Sequence, residues 1–267
     1  MDRGAAVVYQ NIVYCISDFS NTVYQYLLDE DEWQEHSHCP HSRTGLAIIK
    51  DLLTAVGGYR SGDKTNKLVT WRGGRWEEVF PPMNTARCNH AVLTDSSYVI
   101  AAGGDGETSV EIFNMSSNSW STVTSLPQPL PFITATLSHN VLYAMDCDGR
   151  TFSISMSHWT ENTSREPPRP PPRWQRLPQP LPVRWSSLAS LSGAVVAVGG
   201  RRGLTTTGDV YQLYNSEWVR IGCMDTAREW PIVLALPGEM LVVGGYSPSS
   251  PSSPYSTLTA VELAVLC

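Results

Sequence analysis

Three histidines and a cysteine crowd the segment EHSHCPHSR: His36, His38, His41 and Cys39. Imidazole and thiolate are common ligands of zinc and copper, so these residues raise the question of a metal. A tetrahedral site draws its ligands from several anchored points, whereas these four share one short stretch. We expect ordinary loop histidines there, with no metal and no cofactor. AVGGYR at 55–60 is a second candidate, an apolar run that climbs to two glycines. Such a pair can open a phosphate-cradling loop if a helix follows to present its N–H groups. SREPPRPPPRW at 164–174 is a third; it places Arg165, Pro168, Pro171 and Arg173 in the spacings of a polyproline-II ligand with a flanking arginine. That pattern suits a polyproline-binding domain as partner, with a stiff loop extension as the plain alternative. His90, His139 and His158 are scattered, and no Ser–His–Asp set or carboxylate pair assembles from spacing. No catalytic residue is assigned.

The elements that must position these residues are repeats. AVGGYR recurs as AAGGDG at 101–106, AVGGRR at 197–202 and VVGGYS at 242–247. The first glycines are Gly57, Gly103, Gly199 and Gly244, spaced by 46, 96 and 45 residues, so one copy is skipped. YAMDCDG stands in the gap, a strand whose glycines have been replaced. Trp33, Trp76, Trp120, Trp174 and Trp218 keep the same beat, the long third interval absorbing the proline-rich insert. One unit, residues 84–123, reads as four short runs rich in Val, Ile and Tyr between Asp, Ser, Gly and Asn turns. No convincing helix is present. A third strand therefore follows each glycine pair where a phosphate loop needs a helix. The glycines read as an architectural device, supplying positive φ at a crowded turn.

Bulk properties narrow the class. The 267 residues are 42% hydrophobic and 16% charged, with a net charge of −6. That balance argues against a nucleic-acid partner. No apolar run reaches the length of a membrane span, so no membrane partner is expected. The six widely spaced cysteines form no C-x-x-C pair and read as reduced thiols. With no secretory signal at the start, the expected location is cytoplasmic.

An apolar run, Gly-Gly, a Tyr-bearing third strand, a Trp in the fourth, then Pro and Arg before the next unit: this chain resembles the kelch-repeat family over nearly its whole length. The resemblance implies an all-β, six-bladed β-propeller of four-stranded blades. Their expected limits are 1–38, 39–81, 82–125, 126–178, 179–222 and 223–267. The last blade lacks a recognisable fourth strand, so its seam is expected to be open. The five tryptophans are expected in the core.

In a propeller blade, the loop before the first strand and the loop after the second lie on one end of the ring. That places Arg3, Arg43, Arg87, Arg184 and Arg228 together with Tyr59, Arg60, Asp105, Arg201, Arg202 and Tyr246. The fourth unit departs, carrying Phe132 and Ile133 where the arginine should stand. Arginine pairs bidentately with carboxylates and phosphates, so this end could recognise an acidic or phosphorylated peptide. The regular arginines could instead bind neighbouring loop carbonyls and hold the blades together. The resemblance implies a non-enzymatic protein-interaction module, serving as the substrate-recognition part of a ubiquitin ligase or as a cytoskeletal adaptor. The alternative it offers is a metal-dependent enzyme at the ring mouth, akin to copper oxidases built on a kelch-like ring.

Overall fold

The structure is a computed structural model that describes residues 4–17, 20–160, 172–236, 238–247 and 261–264. It is a β-propeller. Blade 1 comprises Gly4–Tyr9, Ile12–Ser17, Thr22–Leu27 and Glu32–His38. Blade 2 comprises Gly45–Ile49, Leu52–Val56, Leu68–Arg72 and Arg75–Glu77, and blade 3 Ala91–Thr94, Tyr98–Ala102, Ser109–Asn114 and Ser119–Ser125. Thr134–Ser138, Val141–Met145, Thr151–Ser155 and Gln175–Arg176 make blade 4. Blade 5 contains Ser187–Leu191, Ala194–Arg202, Thr205–Tyr214 and Glu217–Cys223. All neighbours within a blade are antiparallel and in sequence order.

The expectation of six blades is corrected here: five blades are four-stranded. The chain then forms a three-stranded sheet from Ile232–Leu236, Glu239–Val243 and Val261–Ala264. This sheet packs on blade 1 through Leu241 and Val243 against Val13 and Tyr26. The seam between the two ends of the ring is thus covered by an apolar interface. One helical turn, Ser157–Thr160, lies in the connection between the third and fourth strands of blade 4. Among the described residues no helix is long and apolar enough to cross a membrane.

The apolar runs have a simple cause. The second strand of each blade is covered on both faces, so Val99–Ala102 and Val195–Val198 are buried without alternation. Successive side chains point to opposite faces and enter the interfaces with different neighbours. Ile16 and Val23 of blade 1 pack with Leu46, Ala55 and Val69 of blade 2. Val56 and Leu68 of blade 2 pack in turn with Val99 and Phe113 of blade 3. The five repeat tryptophans, expected in the core, are half-buried and pack against the edges of its apolar clusters. Trp120 lies against Phe113 with ring centroids 5.3 Å apart and donates its indole N–H to the carbonyl of Pro81 at 3.0 Å.

The first strands surround the axis and line a channel of about 490 Å³. Small residues on these strands let the blades approach one another. A Cβ on Gly45 would lie 2.1 Å from a Val92 methyl, and one on Gly4 would lie 3.2 Å from Ile232 Cδ1.

Candidate functional site

The glycine pairs explain how one end of the ring is built. In blade 2, Gly57 and Gly58 have φ of +64° and +105°, and the pair turns the chain at the end of the second strand. Gly57, Gly103 and Gly244 each offer a carbonyl to a side chain 16 residues earlier. The donors are His41 Nδ1 at 2.9 Å, Arg87 at 2.8 Å and Arg228 at 2.9 Å. In blade 5 the Ser186 hydroxyl donates to the Gly199 carbonyl at 2.6 Å.

Arg87 and Arg228, expected on the exposed rim, are therefore buried inside the ring wall, 0% and 2% exposed. Arg87 also donates to the Ser109 carbonyl and pairs with Glu111 at 2.5 Å. Glu111 accepts the backbone N–H groups of Asn84 and Thr85 at 2.7 and 3.0 Å. A buried guanidinium needs such a set of acceptors, because its desolvation is otherwise uncompensated.

The remaining rim residues do converge. Isolated antiparallel bridges join the loop before the first strand to the residues after the glycines: Ser42 with Tyr59, Arg184 with Arg201, Glu229 with Tyr246. Both backbone hydrogen bonds form in each, at 2.7–3.0 Å. The two loops of a blade are thus locked together at one end. Beyond the bridges, Tyr59–Arg60 pairs with Asp63–Lys64 as a short ribbon. In blade 5 the hairpin continues through Arg201 and Arg202 to an exposed Leu204.

Most rim guanidiniums already hold a carboxylate. Arg60 meets Glu78 at 2.9 Å, Arg184 meets Asp148 at 3.2 Å, Arg201 meets the buried Glu229 at 3.7 Å and Arg202 meets Asp209 at 2.8 Å. Lys67 and then Arg60 hold the Glu78 carboxyl below the usual carboxylate range. Arg43 is different, its guanidinium lying 5.4 Å from the ring centre of Tyr59. Asp105 accepts from the Asn89 side-chain amide at 2.8 Å and from the Cys88 thiol at 3.4 Å. Burial first, with Asp105 beside it, pushes Cys88 up to about 11. Cys15 and Cys39, more deeply buried, are pushed to about 12, which keeps both as thiols at neutral pH.

The histidine segment does not assemble. His41 serves Gly57, and His36 packs edge-on against Tyr14 at 5.2 Å. His38 faces Glu35 at 3.3 Å. Of the proline-rich stretch, Arg165, Pro168 and Pro171 lie outside the described residues, as does Arg3; Arg173 is exposed.

At this end Asn89, Trp185 and Trp230 went unread in the sequence, and they share one backbone position with Arg43 and Phe132. Arg43, Asn89, Phe132, Trp185 and Trp230 each lie two residues or fewer before a first strand. Each has positive φ: +49°, +51°, +54°, +60° and +48°. Asn tolerates that conformation, whereas bulky side chains adopt it rarely and at a cost of about 1–3 kcal/mol. The Asn89 N–H donates to the Arg43 carbonyl at 3.2 Å, and the Trp230 N–H donates to the Trp185 carbonyl at 2.7 Å. The left-handed residues thus form part of a backbone belt around the channel mouth. The belt has two characters. Arg43 and Asn89 are polar, while Phe132, Trp185 and Trp230 form one aromatic cluster. Trp185 and Trp230 have ring centres 4.6 Å apart, Phe132 and Trp230 6.1 Å, and the Arg201 guanidinium lies 5.2 Å from the Trp185 ring centre. The sequence signal was available: each of the five lies 14 residues before a first glycine or its replacement Asp146.

Antiparallel four-stranded blades around a channel, with loops of several blades joined at one end, define a β-propeller that presents a loop-built face. The kelch motif family profile matches residues 86–127, most of one blade. The Kelch-like protein 36 sequences of Rattus norvegicus and Mus musculus are 23% identical over 238 residues, covering 81% of this chain and 38% of each relative. The chain therefore spans well under half the length of these curated relatives. A solved structure titled "Structure of YjhT" superposes with a TM-score of 0.73 at 12% identity, covering 98% of this chain and 93% of that one. The fold is a β-propeller, and the sequence is similar to the kelch-repeat family.

Proposed function

We propose that the loop-built end of this propeller is a non-enzymatic surface for a partner protein, and that it takes an acidic or phosphorylated peptide. The binding set is Arg43, Tyr59, Arg60, Asp105, Arg184, Arg201, Arg202 and Tyr246. Arg87 and Arg228 support it from within the ring wall. In a longer protein this module would act as the substrate-recognition part of a ubiquitin ligase or as a cytoskeletal adaptor.

The observation that carries this reading is the backbone bridge between Arg184 and Arg201, which pairs two arginines from different loops at one end of the blade. Their present partners do not count against it. Arg60–Glu78 and Arg184–Asp148 are solvent-exposed pairs, and such pairs contribute about 0–1 kcal/mol. An incoming carboxylate or phosphate can exchange with them at little cost, and it gains more where it is desolvated.

A peptide array of acidic and phosphorylated sequences, probed with wild type and Arg60→Ala/Arg184→Ala, tests the proposal. Wild type should retain a subset of these peptides, more weakly as salt rises. The double variant should lose that subset while melting as before. Equal retention by both proteins, or selection of basic peptides only, would sink the reading.

A further inference from the structure

Phe132, Trp185 and Trp230 come from blade junctions that are remote in sequence, and they meet on one side of the channel mouth. Three observations set the cluster apart from core packing. First, Phe132 is 43% exposed although it is apolar and sits in a conformation that bulky residues avoid. Secondly, Trp230 is only 8% exposed, and its indole N–H reaches no acceptor among the described residues. The indole N–H groups of Trp33, Trp76, Trp174 and Trp218 likewise reach none, so what distinguishes Trp230 is its place beside the open mouth, where a bound group can reach it. Thirdly, the aromatic faces are flanked by cations, with Arg201 over Trp185 and the half-exposed Arg184 bridged to Arg201. The equivalent positions in blades 2 and 3 hold Arg43 and Asn89, so the backbone does not require rings there.

We propose that Phe132, Trp185 and Trp230 form a recognition pocket for a ring side chain, aromatic or proline, that stands next to an acidic residue in the partner peptide. The inference rests on the reading of this end as a peptide-binding face and adds the identity of the neighbouring residue. The ring stacks on the exposed aromatic surface, and offset or edge contacts between rings supply the selectivity. A backbone or carboxylate oxygen of the same peptide accepts from the Trp230 indole. Arg184 and Arg201 hold the acidic group, which explains why the aromatic half of the belt lies beside this bridged pair.

The test uses the full chain and a panel of synthetic peptides in three groups. One group carries Glu next to Trp, Phe or Pro. In the second, Ala replaces the ring residue. In the third, Gln replaces Glu and the ring is kept. The variants are Phe132→Asn and Trp185→Asn, because Asn89 shows that asparagine fits the same left-handed position; Trp185→Phe keeps a ring and controls for folding. Wild type should bind the first group about tenfold more tightly than the second. Phe132→Asn and Trp185→Asn should erase that preference without a fall in melting temperature, and Trp185→Phe should keep much of it. Equal affinity for the first two groups, or a preference that survives in both Asn variants, overturns the pocket. Binding of the first and third groups alike, lost in the Asn variants, upholds the ring pocket and removes the acidic reading of the rim. Binding of the first two groups alike, lost in Arg60→Ala/Arg184→Ala, does the reverse. A panel bound nowhere overturns both.

Discussion

Arg87 and Glu111 form an ion pair 2.5 Å long whose side chains are both fully buried. The pair ties the loop entering blade 3 to the third strand of the same blade. It is the clearest case of an arginine that belongs to the architecture of the ring rather than to its surface.

Removing one partner leaves the other charge stranded in the interior. Arg87→Ala should therefore cost about 3–5 kcal/mol in urea unfolding. Arg87→Met/Glu111→Leu should recover only part of this loss, because the Asn84 and Thr85 N–H groups also depend on Glu111. An Arg87→Ala protein of wild-type stability would contradict the assignment.

Gly200 has φ of +115°, and a Cβ there would lie 2.3 Å from the Arg184 carbonyl and 2.5 Å from Ser186 Oγ. Gly200→Ala must push the Arg184 strand away and break the bridge to Arg201. A loss of about 1–3 kcal/mol is expected from the backbone strain alone. Gly203, at the open tip of the same hairpin, has φ of +59° and nothing within 4 Å of an added Cβ. Gly203→Ala should therefore cost less, and thermal melts of the two variants compare the sites directly.

His90 lines the channel and is 9% exposed. Burial first, and then the nearby Arg87 guanidinium, pull it down to about 3. Its unfolded value is about 6.5. Between these two values the unfolded chain binds a proton that the native chain refuses. Stability is therefore highest above about pH 6.5 and falls as the pH drops toward 3, by at most about 1.4 kcal/mol per pH unit from this group. His90→Leu should flatten that acid limb in a series of urea titrations. An unchanged pH profile would show that His90 is protonated in the folded protein.

Much of the ring was legible in the sequence because its causes are local. A two-sided apolar strand, a glycine pair at positive φ and a return strand recur within one unit, so residues such as Val99–Ala102 and Gly103–Gly104 announce their own roles. The same regularity told which loops share an end, and the bridges of Ser42, Arg184 and Glu229 bear this out. The five complete blades came from pairing that the repeat could only suggest, since a three-stranded sheet follows the fifth.

Which arginine faces solvent was decided only in three dimensions. Arg87 turns inward to an acid 24 residues away, whereas Arg184 reaches across to Asp148 at the surface. The two look alike in sequence, each just before a first strand, but they stand at different points of the turn that enters the blade. The aromatic pocket is further still from any local signal. Phe132, Trp185 and Trp230 are separated by whole blades, and only the packing of successive units around the channel brings their side chains together.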